Sequence, residues 1–149
     1  MIREATLADV GSLLVLAEQM HAESRFSPRR FSVDKMAALF QSLIASDTGV
    51  VLVAEQAGEL LGVFAGYVAE DWFGPDLAAG DFGLFVRPDR RGAVAAAGMV
   101  RRFVAWAQSK GVARPDLGIS TGVHLDATTR LYRALGFQPV GTIFEYTGG

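Results

Sequence analysis

The chain moves between two spacings of apolar residues. Ile2 to Ala5 suits a short strand. Beyond Thr6, a residue fit to cap a helix, Leu13, Leu14, Leu16, Ala17 and Met20 recur at helical spacing. His21 to Phe31 interrupts that spacing with a polar and aromatic stretch holding Pro28 and three arginines. Ser32 and Asp34 then open a second predicted helix running to about Ala45. Val50–Glu55 and Leu60–Ala69 are apolar runs with β-branched residues, and Gln56-Ala57-Gly58-Glu59 between them predicts an antiparallel hairpin. Asp71 to Gly80 reads as a loop.

The second half repeats the alternation. Asp81–Val86 is a predicted strand ended by Arg87-Pro88-Asp89, and a long helix is predicted from about Gly92 to Lys110. Ala93, Ala97, Val100, Val104 and Ala107 share one side of it, and Arg101, Arg102, Gln108 and Ser109 the other. Lys110-Gly111 suits its end. Leu117–Thr121 reads as a strand, Ala127–Leu135 as a short helix closed by Gly136, and Val140–Tyr146 as a final strand. The order β-α-α-β-β-β-α-β-α-β predicts an α/β fold with one mostly antiparallel sheet and helices on both faces. One βαβ step, from Asp81–Val86 to Leu117–Thr121, is expected to be parallel and right-handed. A ligand site is expected at the start of the helix within that step.

Composition narrows the chemistry. With 149 residues, half of them apolar, and no linker-like stretch, a single domain over residues 1–149 is expected. A net charge of −2 gives no global attraction to nucleic acid, so none is expected as a partner. The chain has no cysteine, which removes disulfides, thiolate nucleophiles and cysteine-ligated zinc. His21 and His124 lie far apart, and no metal site is expected. No signal peptide and no span of apolar residues long enough for a membrane is legible, so a cytoplasmic protein without a membrane partner is the expectation.

Chemistry concentrates between Leu84 and Ala97. A strand, Leu84-Phe85-Val86, enters the turn Arg87-Pro88-Asp89-Arg90-Arg91, and Gly92-Ala93-Val94-Ala95-Ala96-Ala97 begins a helix of small residues. A helix start offers free amides and a positive dipole end, and small side chains let an anion approach the backbone. Arg87, Arg90 and Arg91 add charge suited to phosphate. Taken alone, the same pattern also describes an exposed turn with solvated arginines.

These residues resemble the GNAT superfamily of N-acetyltransferases. Val86, Pro88 and Arg91 match its Val-x-Pro-x-x-Arg lead. Arg91-Gly92-Ala93-Val94-Ala95-Ala96 follows its Arg-x-x-Gly-x-Gly/Ala loop at the sixth position but carries Val94 at the fourth. Leu131-Tyr132-Arg133-Ala134-Leu135-Gly136-Phe137 is similar to its Leu-Tyr-x-x-x-Gly-Phe segment. The resemblance implies transfer of an acetyl or other short acyl group from acyl-CoA to a primary amine of a small molecule or peptide. Transfer would be direct, within a ternary complex.

The resemblance also implies a coenzyme A site at Leu84, Phe85, Val86, Arg87, Arg91, Gly92, Ala93, Val94, Ala95, Ala96, Ala97 and Tyr132. The acyl carbonyl would rest on the backbone of Leu84–Val86, and Tyr132 would serve as general acid. For the general base Asp81 is the first choice, with Glu70 and Asp71 as further carboxylates at a strand end. His21, Glu23, Arg25, Phe26 and Glu70 are candidates for the acceptor site. His124 is open as a base, a cofactor contact or an exposed loop residue. The asparagine that many relatives carry between the strand matching Leu117–Thr121 and the next helix has no counterpart in Gly122-Val123-His124-Leu125-Asp126.

Two other readings stand beside the enzyme. One is an acyl-CoA-binding sensor of the same fold. The other is a nucleotide or phosphosugar site, against which the missing Gly-x-Gly-x-x-Gly and Walker patterns count. Val140–Tyr146, with Phe144 and Tyr146, suits either an edge strand or a homodimer contact.

Overall fold

The computed structural model describes residues 1–149, with Ala93 described by its backbone alone. Four strands, β1 (Ile2–Glu4), β2 (Gly49–Gln56), β3 (Glu59–Glu70) and β4 (Leu77–Val86), form one sheet in sequence order. All neighbouring pairs are antiparallel. Helices α1 (Val10–Glu23) and α2 (Val33–Ala45) precede β2, while α3 (Ala93–Ser109) and α4 (Leu125–Ala134) follow β4. The class is the mixed α/β arrangement expected.

Strand alternation sends side chains to two separate cores. Val51, Val53, Val63, Ala65 and Phe85 pack with Leu13, Leu16 and Ala17 of α1 and Phe40 and Leu43 of α2. Val50, Leu52, Ala54, Phe64 and Val86 pack on the other side with Met99, Val100, Phe103 and Ala107 of α3. Phe103 packs on Phe64 in a tilted arrangement with ring centroids 4.6 Å apart. On this side the sheet carries Gly62 and Gly66. A Cβ at Gly62 would lie 2.8 Å from the Phe85 carbonyl oxygen and 3.0 Å from Met99. One at Gly66 would lie 2.8 Å from the Phe103 ring. The two glycines therefore let α3 sit closer to the sheet than any side chain would.

Three elements depart from expectation. β4 begins at Leu77 rather than Asp81, because β3 extends to Glu70 and pairs Leu77 through Gly80. The small residues Ala78, Ala79 and Gly80 have weak strand preference of their own, and the partner strand decides. Leu117–Thr121 is not a strand among the described residues, so the parallel step is absent from the ladder. The segment meets β4 through one backbone bond, Asp116 N–H to Ala79 C=O at 2.9 Å. Pro115 offers no amide, and the Gly118 amide bonds the Asp81 side chain instead of a strand. Val140–Tyr146 is likewise no strand, with Val140, Phe144 and Tyr146 all more than 80% exposed. Pro139 and Gly141 break its alternation.

No helix is long and apolar enough to cross a membrane among the described residues.

Candidate functional site

β4 is the last strand of the sheet, so its outer edge has no strand partner among the described residues. Its ladder with β3 shifts by one residue: Ala65 pairs with Gly83 and Gly66 with Asp81, leaving Phe82 as an extra residue. A bulge of this kind bends a strand and re-aims its neighbours. Asp81, on the α3 side with Gly66, and the stretch from Gly83 to Val86 then border a cleft of about 460 Å³. Met20 of α1, Gly118–Thr121 and the inner face of α4 form the other walls. A Cβ at Gly83 would reach ordinary contact with the Met20 sulfur, at 3.4 Å.

Two titratable groups meet in this cleft. Asp81 accepts the Gly118 amide at 2.9 Å on Oδ1. Burial pushes its carboxyl up to about 6, and the Gly118 bond draws it back in part. Tyr132 stands on α4, whose end is fixed by Gly136 at φ +97°, a left-handed conformation that favours glycine. Burial first, and the Asp81 charge second, raise the Tyr132 phenol above its ordinary value near 10. At neutral pH the carboxyl is therefore mostly ionised and able to take a proton, while the phenol is protonated and able to give one.

The start of α3 forms the third part. Gly92, in extended conformation at φ 178°, precedes the helix, and Gly92 and Ala96 border the cleft. The first amides of a helix lack intrahelical acceptors and face out along its axis, where an anion is stabilised. Beside them, the Arg91 guanidinium is engaged on several sides. Nε donates to the Val86 carbonyl at 3.0 Å, Nη1 bonds His124 Nε2 at 2.8 Å, and Nη2 bonds the Glu23 carboxylate. The Phe85 ring lies under it, 5.5 Å from Cζ to centroid.

The sequence-derived residues divide sharply. Asp81, Tyr132, Leu84, Phe85, Val86, Arg91, Gly92, Ala96 and Glu23 all border the one cleft. Arg87 does not: it turns to Asp89 at 2.9 Å and to Glu59 at 3.7 Å. Val94 points to solvent at 88% exposure, while Ala95 and Ala97 pack into the core beneath α3. The Ala93 side chain lies outside what is described. Glu70 is exposed at the far end of β3, opposite Leu77 and away from the cleft. His21 packs on Phe31 with centroids 5.4 Å apart, its Nε2 buried. Phe26 lies under the Arg25 and Arg29 guanidiniums. Arg25 ties the loop after α1 to the segment before α4, bonding the Ser120 carbonyl at 2.5 Å and pairing with Glu145 at 3.3 Å.

Other wall residues carried no sequence signal. Gly118 acts through its backbone, and Met20 read as helix core. His124 was open between several roles; its left-handed backbone, φ 48°, sets its ring against Arg91.

The fold is that of acetyltransferases of known structure. The chain is similar to an aminoglycoside 6'-N-acetyltransferase from Acinetobacter haemolyticus, at 15% identity and a TM-score of 0.76, over 100% of this chain and 98% of that one. It is similar to a predicted acetyltransferase from Clostridium acetobutylicum solved with acetyl-CoA, at 18% identity and 0.79, over 99% and 95%. A ribosomal-protein-alanine N-acetyltransferase from Brucella melitensis biovar Abortus matches at 17% and 0.71, over 98% of both chains. These likenesses are of fold. No curated protein matches the sequence. Residues 16–137 match the acetyltransferase (GNAT) family, and the chain belongs to it.

Proposed function

We propose that residues 1–149 act as a single-domain N-acetyltransferase, moving an acetyl or short acyl group from acyl-CoA to a primary amine of a small molecule or peptide. The observation that carries this reading is the pairing of Asp81 and Tyr132 in one cleft, with displaced proton affinities, beside the open amides of α3. The similar proteins whose names specify amine acceptors, and the one solved with acetyl-CoA, support it.

The amides at the start of α3 and the Arg91 guanidinium hold the cofactor diphosphate. The pantetheine arm runs along the free edge of β4, where backbone N–H groups between Leu84 and Val86 receive the thioester oxygen. Asp81 takes a proton from the acceptor ammonium, directly or through water. The neutral nitrogen attacks the carbonyl carbon, a C–N bond forms and the C–S bond breaks. Tyr132 gives its proton to the departing thiolate. On the acceptor side, His21 near the end of α1 and Arg25 and Phe26 in the loop that follows it border the approach, and Glu23, bonded to Arg91, stands where the acceptor and donor sides meet. Because the donor is a metabolite held inside cells, the cytoplasm is the compartment this reading calls for.

The test is release of free thiol from acetyl-CoA across a panel of amines, for which a cysteine-free protein gives no background. Binding is followed separately by thermal shift, where saturation at a hundred times the dissociation constant adds about 2.7 kcal/mol. Absence of any shift with acetyl-CoA or CoA would sink the reading. A shift without turnover on any amine would leave the acyl-CoA-binding sensor in its place.

A further inference from the structure

Arg91 is bonded to residues 68 and 33 positions away in sequence, and all three residues line the cleft. Glu23 closes the C-terminal end of α1, and His124 stands just before α4. Both border the same cleft as Gly92 and Ala96. The guanidinium is therefore held in two unequal ways. Its Nε donates to the Val86 carbonyl, a backbone group that cannot leave. Its two terminal nitrogens, the pair that grips a phosphate in a fork, are held by side chains that can. Glu23 and Arg91 side chains are each less than a third exposed, so the pair is neither freely solvated nor deeply buried.

We infer that Glu23 is a specificity-determining residue for the donor. It holds the Nη2 nitrogen of Arg91, beside the Nη1 held by His124, until a diphosphate displaces it, so only a donor with that group can make the exchange. The Glu23 carboxylate and a phosphate compete for Nη2, while the anchored Nε keeps the arm in place through the swap. Binding of coenzyme A thus includes the cost of parting Glu23 from Arg91, and a donor fragment without the diphosphate leaves the pair closed. This inference rests on the proposed coenzyme A site, and it adds a residue from α1 to a cofactor interaction otherwise built from β4 and α3.

Calorimetric titration of the full chain tests it, with CoA and pantetheine as ligands and four proteins: the parent, Glu23→Gln, Arg91→Gln and the double variant. Removing the competitor is expected to tighten CoA binding by about three- to fivefold in the parent, the upper part of the range of a partly exposed ion pair. In the Arg91→Gln background the same change is expected to shift affinity by less than about twofold, and pantetheine affinity is expected to hold within the same bound. An equal gain in both backgrounds would reveal a general field effect and overturn the exchange. Unchanged or weakened CoA binding in Glu23→Gln would overturn it as well. Glu23→Ser, checked for folding by circular dichroism, answers the same question if the glutamine variant does not fold. A parent protein that binds no CoA would defeat the proposed function itself, whereas CoA binding indifferent to Glu23 defeats only this inference.

Discussion

Two aspartates on this chain have opposite surroundings. Asp9, just before α1, takes both terminal nitrogens of Arg3, at 2.8 and 3.0 Å, and Arg3 also reaches Glu55 at 2.8 Å. That guanidinium holds the Asp9 carboxyl down at about 2. Asp81 has no cation paired with it among the described residues, and burial pushes it up to about 6. The first is a device for joining β1, β2 and the start of α1. The second is a carboxyl kept at a disadvantage, which is how folds supply bases near neutral pH. Their effects on stability run in opposite directions. The lowered Asp9 contributes stability that is present above its ordinary value near 4 and is lost as pH falls through about 2. The raised Asp81 costs nothing below about 4, and stability falls as pH climbs through about 6 and the carboxyl ionises inside the protein.

Removing the strained member gives the largest effect. Asp81→Asn should lower kcat/KM by roughly 10²–10³ and abolish a rise in rate through about pH 6 that the parent shows. The same variant, still able to accept the Gly118 amide, should be more stable than the parent by about 1–3 kcal/mol above neutrality, read by urea unfolding at two pH values. Loss of activity with no gain in stability would remove burial as the source of the raised proton affinity.

Tyr132→Phe comes next. A drop in turnover of roughly tenfold to a hundredfold is expected, with CoA affinity retained in calorimetry. Unchanged turnover would take the phenol out of the reaction. At the other aspartate the effect is structural and smaller. Asp9→Asn should cost about 1 kcal/mol near neutrality, discounted for solvent at this partly exposed pair, and leave kcat untouched. A change in kcat with Asp9→Asn would show that the two regions are not separate.

The smallest effect belongs to Val94. Because its side chain faces solvent rather than the cleft, Val94→Gly should alter CoA affinity by less than about twofold while lowering stability by up to about 1 kcal/mol. A large gain in affinity would mean that the valine obstructs the diphosphate after all.

Much of this was legible beforehand, and the gaps share a cause. The helical spacing of Leu13, Leu16 and Ala17 and the turn at Ala57-Gly58 encode local structure, and those elements stand where expected. Asp81 and Tyr132 were readable as residue types with a chemistry. What failed depended on partners distant in sequence. Leu77–Gly80 is a strand only because β3 extends to meet it, and Leu117–Thr121 is none because the Gly118 amide bonds a side chain. The face on which Asp81 lies could not be read by alternation, since the extra residue Phe82 shifts the phase within β4. Arginines of the turn looked alike in sequence, yet Arg87 turns to Asp89 and Glu59 while Arg91 meets Glu23 and His124. Only their three-dimensional neighbours distinguish them.

Gly62 and Gly66 act at a distance from all of this chemistry. They set the thickness of the layer between the sheet and α3, and α3 carries the cleft's amides at its beginning. A single methyl at Gly62 would press on Met99 of α3 and on the Phe85 carbonyl of the neighbouring strand, working like a shim under one end of a lever and moving the start of the helix out of line with β4. A substitution buried in the core, touching no ligand, would then be felt as a fault in alignment rather than as a loss of stability alone.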